Sequence, residues 1–474
     1  MRIPAPVWIA LISLMARLWY WTGVWPYFLG YDSFHYLFYP IIQGWRMPIG
    51  MAFAQAMRVF GDGLWLHAIV WGQTLIKLVA IVVFYHTILR VTGRKWLAFG
   101  AAVFLGALPL EASYDRLVMT ESLLISFTIF LMHAVVRYLD RPSAWRGVAV
   151  GVWLTLLVML HFRGLLFIPI TLALFIGRWM FVRGEGRAVL GGLLGIMLVG
   201  LAVFVHRMAL PAYADTAEVF RQSNLPVVLI RGGNYYNPGR PDVNAAVSRW
   251  RAANPNIIDL TWQINRFQQE LSTSYFDGDW RLASEHWIET WRLNFSGYLQ
   301  FVLWDMWALR SLPVNRIPPE FPCEFYGVCI CFTHIWYRLP EWRWRCQEAW
   351  RTGQWPDRAN FTVANRNYPP IRMWHIYILV LFEFALFMVR LARRRDRIAY
   401  AEVWVASSLA AVVLLGFAAS WNLRYDGVRL VAQATPLALF LIAKNISRLF
   451  EWARVNSNGG GLNRLTTRLE SVKN

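Results

Sequence analysis

Charged residues are scarce in this sequence. Asp, Glu, Lys and Arg make up 16% of its 474 residues, and hydrophobic residues make up 57%. Because a soluble protein carries about 25% charged residues, the composition excludes an ordinary soluble domain and indicates a polytopic membrane protein. A cleavable signal is also missing, since Arg2 precedes the first apolar run but no small-residue cleavage pattern follows the run. We therefore expect this run to be retained as the first helix.

Acidic residues are few in comparison with basic ones. The 28 Asp and Glu residues face 47 Lys and Arg residues, which gives a net charge of +19. Basic clusters such as Arg393, Arg394 and Arg395 occur at the ends of apolar runs, where positive charge fixes membrane topology. No long basic face and no nucleic-acid-binding motif accompanies them. We therefore predict membrane lipid as a partner and no nucleic acid.

Cysteine is rare, and all four cysteines lie in one polar segment. Their spacing, C-x5-C-x-C-x14-C, differs from the paired spacing of the usual zinc sites. An oxidising compartment favours two disulfides over a metal. The disulfide candidates are Cys323, Cys329, Cys331 and Cys346.

Ten apolar runs are interpreted as membrane-spanning helices, since about 20 apolar residues cross a bilayer. They cover 7–28, 64–89, 96–110, 119–137, 144–160, 165–182, 187–205, 371–391, 400–421 and 427–444. The short loops that carry Lys and Arg all fall on one side if the N-terminus is cytoplasmic, and the C-terminus is then cytoplasmic too. The short N-terminus and the preference for Arg over Lys favour a bacterial inner (plasma) membrane.

The predicted fold is an all-α polytopic membrane protein with a mixed, mostly helical extracytoplasmic domain. Residues 1–205 form an N-terminal module of seven helices, and 206–370 form the extracytoplasmic domain. Residues 371–444 contain the last three helices, and 445–474 form a cytoplasmic tail. We expect 111–118 to be a short external loop. Within the large domain, 294–310 is apolar enough to lie on the membrane.

The segment 144–182 has two interpretations. One long helix would place Arg163 deep in lipid. Two helices joined at His161–Gly164 keep the charge near the membrane surface, and we prefer this interpretation.

A carboxylate follows the first helix in the stretch "GYDSFHYLFYP", residues 30–40. Asp32 is flanked by Tyr31, His35 and other aromatic residues, which prefer the depth of the lipid headgroups. Asp followed by Ser suits a helix N-cap, so a structural role is one interpretation. The other is a general base that takes a proton from an acceptor hydroxyl at the membrane surface.

A second acidic group occurs in "SYDRLVMTESLLISF", residues 113–127. In the structural interpretation Thr120 caps the next helix and Glu121 lies in its first turn, where the helix dipole favours it. In the functional interpretation Glu121 and Asp115 lie near Asp32 on the outer face. There they would bind a divalent ion, substrate hydroxyls or an arginine. No cofactor is otherwise indicated, and the metal stays unassigned.

Arginines follow two other helix ends. Arg163 in "MLHFRGLLFIP" is either an interfacial arginine that snorkels to headgroups or a phosphate ligand. Arg424 and Tyr425 in "SWNLRYDGVRL" belong either to a self-paired loop or to a second phosphate or sugar clamp. Lys77 lies well inside the second helix, and we favour a structural pairing or snorkelling for it, with no partner identifiable.

Together these segments resemble the GT-C superfamily of integral-membrane glycosyltransferases, in particular the protein O-mannosyltransferase and lipid A aminoarabinose transferase type. The resemblance is carried by "GYDSFHY" after the first helix, "RLVMTESLL" at the fourth, "HFRGLLFIP", and "LRYDGVRLVAQATP" before the last. It covers about 1–205 and 371–444. Many family members have two adjacent acidic residues in the first loop, whereas Asp32 is followed by Ser33.

The resemblance implies a function. The donor would be a polyprenyl-phosphate-linked sugar, and an envelope lipid, glycan or protein would accept the sugar on the outer face with inversion. Asp32 would be the catalytic base, and Arg163 and Arg424 would hold the leaving phosphate. Tyr31, His35, Asp115, Glu121 and Tyr425 would line the substrate site. The missing nucleotide-binding motif is consistent with this, since nucleotide sugars are cytoplasmic.

Three alternatives stay open. A transporter or flippase would use inverted repeats and polar groups at midplane, whereas no repeat is evident here. A receptor or scaffold would leave the charged residues at several helix ends unexplained. A polysaccharide polymerase or ligase also uses outer arginines, but usually has its large loop nearer the C-terminus.

Overall fold

The computed structural model of the protein describes residues 4–21, 36–37, 47–61, 64–118, 120–182, 184–209, 225–233, 235–254, 267, 270–308, 310–311, 347, 351–352, 372–391, 397–418 and 433–457. The four cysteines lie outside these residues, so their pairing stays a prediction.

The regular elements of the described residues are helices. In chain order they are α1 Ala5–Trp21, α2 Pro48–Ala56, α3 Trp65–Thr92, α4 Lys95–Gly106, α5 Pro109–Arg116, α6 Glu121–Asp140, α7 Ala144–Leu160, α8 Phe167–Phe181, α9 Gly186–Ala209, α10 Leu225–Gly232, α11 Pro241–Ala253, α12 Trp280–Leu293, α13 Phe295–Ala308, α14 Met373–Leu391, α15 Arg397–Ala418 and α16 Ala434–Ser457. Short 3₁₀ segments occupy Met57–Phe60 and Phe162–Leu166.

Each of the ten predicted apolar runs coincides with one of these helices over most of its described length. By length and composition, 4 helices of the described chain can cross a membrane, or 5 if α4 and α5 form one bent span. Four further apolar helices are shorter, at Ala5–Trp21, Ala144–Leu160, Met373–Leu386 and Tyr400–Leu414. The fold is therefore the helical bundle of an integral membrane protein. Ten crossings and the cytoplasmic position of both termini stay predictions.

The predicted break in 144–182 is present. Helix α7 ends at Leu160, the 3₁₀ segment Phe162–Leu166 follows, and α8 begins at Phe167. A methyl group at Gly164 would lie 2.6 Å from the backbone nitrogen of Val158, so the chain turns back tightly against α7. The turn therefore depends on the absence of a side chain at this position.

Helices α7 and α9 pack through glycines. A methyl group added at Gly151 would lie 2.1 Å from the Cα of Gly195, and one at Gly147 would lie 2.5 Å from the backbone nitrogen of Gly192. On α7 Gly147 and Gly151 are four residues apart, and so are Gly191 and Gly195 on α9, which is the small-residue pattern that lets membrane helices approach closely. Since lipid provides no hydrophobic driving force between helices, this close packing holds α7 against α9.

A second core forms outside the apolar helices, within the segment predicted to be extracytoplasmic. Helices α10, α11 and α12 bury the side chains Leu229, Val243, Val247 and Trp287. Beside them, His286 Nε2 lies 2.5 Å from the hydroxyl of Tyr235. The described part of 206–370 is thus helical and has its own small core, and its side of the membrane stays a prediction.

Helices α4 and α5 form a broken span and correct one sequence-based expectation. Their axes are bent by 50°, and Pro109 occupies the first turn of α5, where proline needs no hydrogen-bond partner. Residues 111–118, expected to form a short external loop, lie mainly in this helix, and all eight residues of α5 are buried. The acidic residues of α5 looked like loop residues in the sequence, because the cations that pair with them, Arg17 and Lys77, lie on distant parts of the chain.

Candidate active site

Six charged side chains are buried as three ion pairs in the N-terminal module and are called the buried charge cluster here. Each is at most 3% exposed. They come from α1, α3, α5, α6 and the 3₁₀ segment, and they are Arg17, Lys77, Glu111, Asp115, Glu121 and Arg163. Three cations thus meet three carboxylates. Ionisable groups inside a membrane bundle are costly unless paired, and they mark functional sites more often than other residues do.

Asp115 is held by two residues. Arg17 Nε donates to Asp115 Oδ2 at 2.6 Å, and Ser122 Oγ donates to Asp115 Oδ1 at 2.5 Å. A second guanidinium nitrogen of Arg17 donates to the carbonyl oxygen of Gly106, where α4 ends, at 2.6 Å. Arg17 therefore ties α1 to both halves of the broken span, and the Asp115 carboxylate joins α5 to α6.

Glu111 pairs with Lys77, the partner that the sequence did not identify. Lys77 Nζ donates to Glu111 Oε2 at 2.7 Å, and both side chains are buried. Lys77 lies roughly 18 Å along α3 from Trp65, near the middle of that helix. The structural pairing expected for Lys77 is confirmed.

Glu121 and Arg163 form the third pair. Glu121 Oε1 and Arg163 Nη2 are 3.8 Å apart, which makes an ion pair but is too long for a hydrogen bond. His161 Nδ1 accepts a hydrogen bond from the backbone nitrogen of Arg163 at 3.2 Å and caps the 3₁₀ segment. The Arg163 side chain is buried beside Glu121, and its expected position near the membrane surface stays a prediction.

The structural interpretation expected the side chain of Thr120 to cap α6, but it makes no capping hydrogen bond to this helix. Its Oγ1 lies 3.1 Å from the hydroxyl of Tyr36, and both residues are buried. Within the stretch 30–40, which contains the predicted catalytic base Asp32, the structure describes Tyr36 and Leu37. This hydrogen bond therefore connects the segment between α1 and α2 to the start of α6, next to Glu121.

The structure describes three of the eight predicted site residues. Asp115, Glu121 and Arg163 all belong to the buried charge cluster. Tyr31, Asp32, His35, Arg424 and Tyr425 lie outside the described residues, so their roles stay predictions.

Sequence reasoning missed Arg17 and Glu111. Arg17 interrupts the first apolar run, and Glu111 precedes Asp115 by four residues, which places both on one face of a helix. Both features are visible in the sequence, but neither identifies the residue with which the charged side chain pairs.

A divalent metal fits the described carboxylates poorly. Among the described residues, no group of three His, Cys, Asp or Glu side chains converges as a ligand set. Lys77, Arg17 and Arg163 already lie against the three carboxylates of the cluster. A cation would have to displace these positive charges before it could bind there.

No family model matches the sequence, and no curated protein matches it significantly. Among solved structures, the chain is similar to the apo oligosaccharyltransferase of Archaeoglobus fulgidus, at 13% identity and a TM-score of 0.42. A structure of AglB from the same organism, with an inhibitory peptide and a dolichol-phosphate, gives 13% identity and a TM-score of 0.40. Each alignment covers 96% of this chain and 51% of the other, so the chain spans about half the length of these structures.

Proposed function

We propose that the protein is an inverting glycosyltransferase that uses a polyprenyl-phosphate-linked sugar on the outer face of the membrane. An envelope lipid, glycan or protein is the acceptor. The observation that carries the proposal is the hydrogen bond between Tyr36 and Thr120. It joins Tyr36, which follows Asp32 by four residues in the sequence, to the helix start that contains Glu121.

Asp32 is the proposed base. Its carboxylate takes the proton of the acceptor hydroxyl, the hydroxyl oxygen attacks the anomeric carbon from the face opposite the phosphate, and the bond from that carbon to the phosphate oxygen breaks. The bonding electrons leave with the polyprenyl phosphate. General-base catalysis of this kind contributes about 10²- to 10⁴-fold to a rate.

Arg163 is proposed to stabilise the leaving phosphate, together with Arg424. The ion pair with Glu121 supports this role, because it holds a buried guanidinium, 3.8 Å from the carboxylate, whose planar fork matches the oxygens of a phosphate. Glu121 would keep the arginine in place before the donor arrives. Negative charge builds on the phosphate in the transition state, which is where a preorganised cation is most effective.

Asp115 is proposed as a positioning residue. Both of its oxygens are bound, by Arg17 and by Ser122, so it supports the substrate site through α5 and α6. Tyr31, His35 and Tyr425 are proposed to line the sugar and acceptor sites, as the sequence resemblance implies.

The test compares the full chain with Asp32→Asn in lipid vesicles, using a panel of radiolabelled polyprenyl-phosphate sugars and cell-envelope acceptors. We expect Asp32→Asn to lower turnover at least 100-fold while donor binding stays unchanged. Asp242→Asn is the matched control, because Asp242 pairs with Arg240 on an exposed part of α11. Turnover of Asp32→Asn equal to that of the control would rule out Asp32 as the base.

One observation favours a second candidate, a transporter or flippase. The broken span places the Lys77–Glu111 pair near the middle of α3, and transporters bind substrates at broken helices near the membrane midplane. This candidate predicts acceptor-independent movement of labelled polyprenyl-phosphate sugar across vesicles. Glu111→Gln would then abolish the movement, and Asp32→Asn would leave it unchanged.

A further inference from the structure

A basic cavity lies between α3 and α6, at the ends opposite the buried charge cluster. Its volume is about 360 Å³. Two arginines, two histidines and two apolar residues line it, and they are Val83, His86, Leu89, Arg90, His133 and Arg137. On the predicted topology this end faces the cytoplasm. None of these residues belongs to the proposed transfer site.

The positive charge in this cavity is only partly neutralised. Arg90 pairs with Asp140 at 2.5 Å, and both side chains are 40% exposed. Among the described residues, the Arg137 guanidinium makes no hydrogen bond and no ion pair. His133 Nδ1 lies 2.8 Å from the hydroxyl of Thr87, which donates to the carbonyl of Val83. That hydroxyl has a single proton, so His133 Nδ1 carries a hydrogen and donates to it.

A phosphate group fits this surface better than a carboxylate does. Two guanidinium groups from neighbouring helices can share its oxygens, and a guanidinium binds two of them at once. The cavity is also apolar on one side, at Val83 and Leu89. Towards the membrane centre, α3 exposes Val79 and Leu75 at four-residue spacing, which makes an apolar track on one helix face.

We propose that the cavity binds the phosphate group of an anionic phospholipid, with an acyl chain lying along Leu75 and Val79 of α3. Basic pockets between membrane helices on the cytoplasmic side are suited to anionic headgroups. A soluble phosphate compound has the same anionic chemistry but no group to cover the apolar track. The two sources of phosphate therefore make different predictions.

The test measures lipid binding to the purified full chain in neutral detergent by native mass spectrometry. The probes are phosphatidylglycerol, phosphatidylcholine and glycerol 3-phosphate. We expect phosphatidylglycerol to bind the wild type, and Arg137→Gln to weaken this binding about fivefold, the factor that corresponds to about 1 kcal/mol per basic residue near an anionic lipid. Arg141→Gln is the matched control, because it removes the same charge from the same end of α6 at an exposed residue that does not line the cavity.

A third variant should strengthen binding. Asp140→Asn removes the carboxylate that engages Arg90, so both arginines become available to the phosphate. Weaker binding in Arg137→Gln than in Arg141→Gln, with tighter binding in Asp140→Asn, supports the proposal. Equal loss in both arginine variants overturns it, as non-specific charge attraction would then explain binding. If glycerol 3-phosphate binds as tightly as the phospholipid, the lipid is the wrong source.

Discussion

The hydroxyl of Tyr36 and Oγ1 of Thr120 lie 3.1 Å apart, although 84 positions separate the two residues in the sequence. Around this contact the packing is tight, since a methyl group at Gly50 would lie 2.4 Å from the Thr120 methyl and 3.2 Å from the Tyr36 ring. Helix α2, Tyr36 and the start of α6 therefore meet at one point. A displacement of Tyr36 would therefore also shift Thr120 and the neighbouring Glu121.

Removing the Tyr36 hydroxyl should affect turnover more than stability. Tyr36→Phe keeps the packed ring but loses one hydrogen bond, which costs about 1 kcal/mol of folding free energy. If the contact orients the loop of Asp32, we expect turnover to fall about tenfold, because small misplacements of catalytic groups are costly. Steady-state transfer assays and thermal unfolding of the same preparation measure the two effects.

Tyr377→Phe is the control for that experiment. It also removes one phenol hydroxyl, from a half-buried tyrosine, which donates to the carbonyl of Met306 at 2.9 Å, far from the charge cluster in the sequence. Similar turnover in both variants would mean that the Tyr36–Thr120 contact is structural only.

The Lys77–Glu111 pair should show strong coupling. Lys77→Met leaves a buried carboxylate without its described cation, and breaking a buried pair in this way costs about 3–5 kcal/mol of stability. Replacing both partners, by Lys77→Met with Glu111→Leu, should restore most of that loss, since an apolar pair of similar volume is often neutral. A double-mutant cycle on unfolding free energies measures the coupling. Additive losses would contradict the pairing.

Helix positions were predictable, whereas the pairing of the charges was not. The apolar runs locate the helices because membrane or core burial requires such runs. Arg17 and Asp115 are 98 residues apart and Lys77 and Glu111 are 34 apart, so no local pattern connects them. Glu111 and Asp115 therefore looked like loop residues, although each is neutralised inside the bundle.

Thr120 gives a second example of what the sequence concealed. Its position before α6 suits an N-cap, and the structural interpretation of this motif gave it that role. The Thr120 hydroxyl is hydrogen-bonded to Tyr36 instead, because the fold places the buried hydroxyl of Tyr36 beside it. The glycine contact of α7 and α9 was partly predictable. The four-residue spacing of the glycines is visible in the sequence, but the helix that they contact is not.

The contact of α7 with α9 should not tolerate a side chain. In Gly151→Ala the new methyl group would lie 2.1 Å from Cα of Gly195, and overpacking of this kind costs about 1–3 kcal/mol. Gly200→Ala, at an exposed position of α9, is the control, because nothing lies within 4 Å of the added methyl group. There alanine should be neutral or stabilise the helix by about 0.5–1 kcal/mol. Equal thermal stability of the two variants would show that the helices are not in close contact.

Acid should destabilise the small core of α10, α11 and α12 through His286. Burial lowers the pKa of His286 from 6.5 to about 4, assisted by the positive charge of Arg240. Between these two values the unfolded segment binds a proton that the folded one does not, so stability is complete above pH 6.5 and falls as the pH drops towards 4. A shift of this size corresponds to roughly 3 kcal/mol.

The measurement is hydrogen exchange of the peptide that covers Trp280–Leu293, compared at each pH between the wild type and His286→Gln. Glutamine keeps a polar side chain beside Tyr235 but cannot take up a proton in this range. We expect the wild type to lose protection between pH 6.5 and 4 and the variant to keep a flat profile, although it starts from a lower stability. The same acid-dependent loss in His286→Gln would assign it to another group. Asp242 does not explain a loss in this range, because its hydrogen bond with Arg240 lowers its pKa to about 2. In the unfolded segment the pKa of Asp242 is near its ordinary value of 3.8, so this carboxyl is ionised in both the folded and the unfolded state over most of the window and adds little to the slope between pH 6.5 and 4.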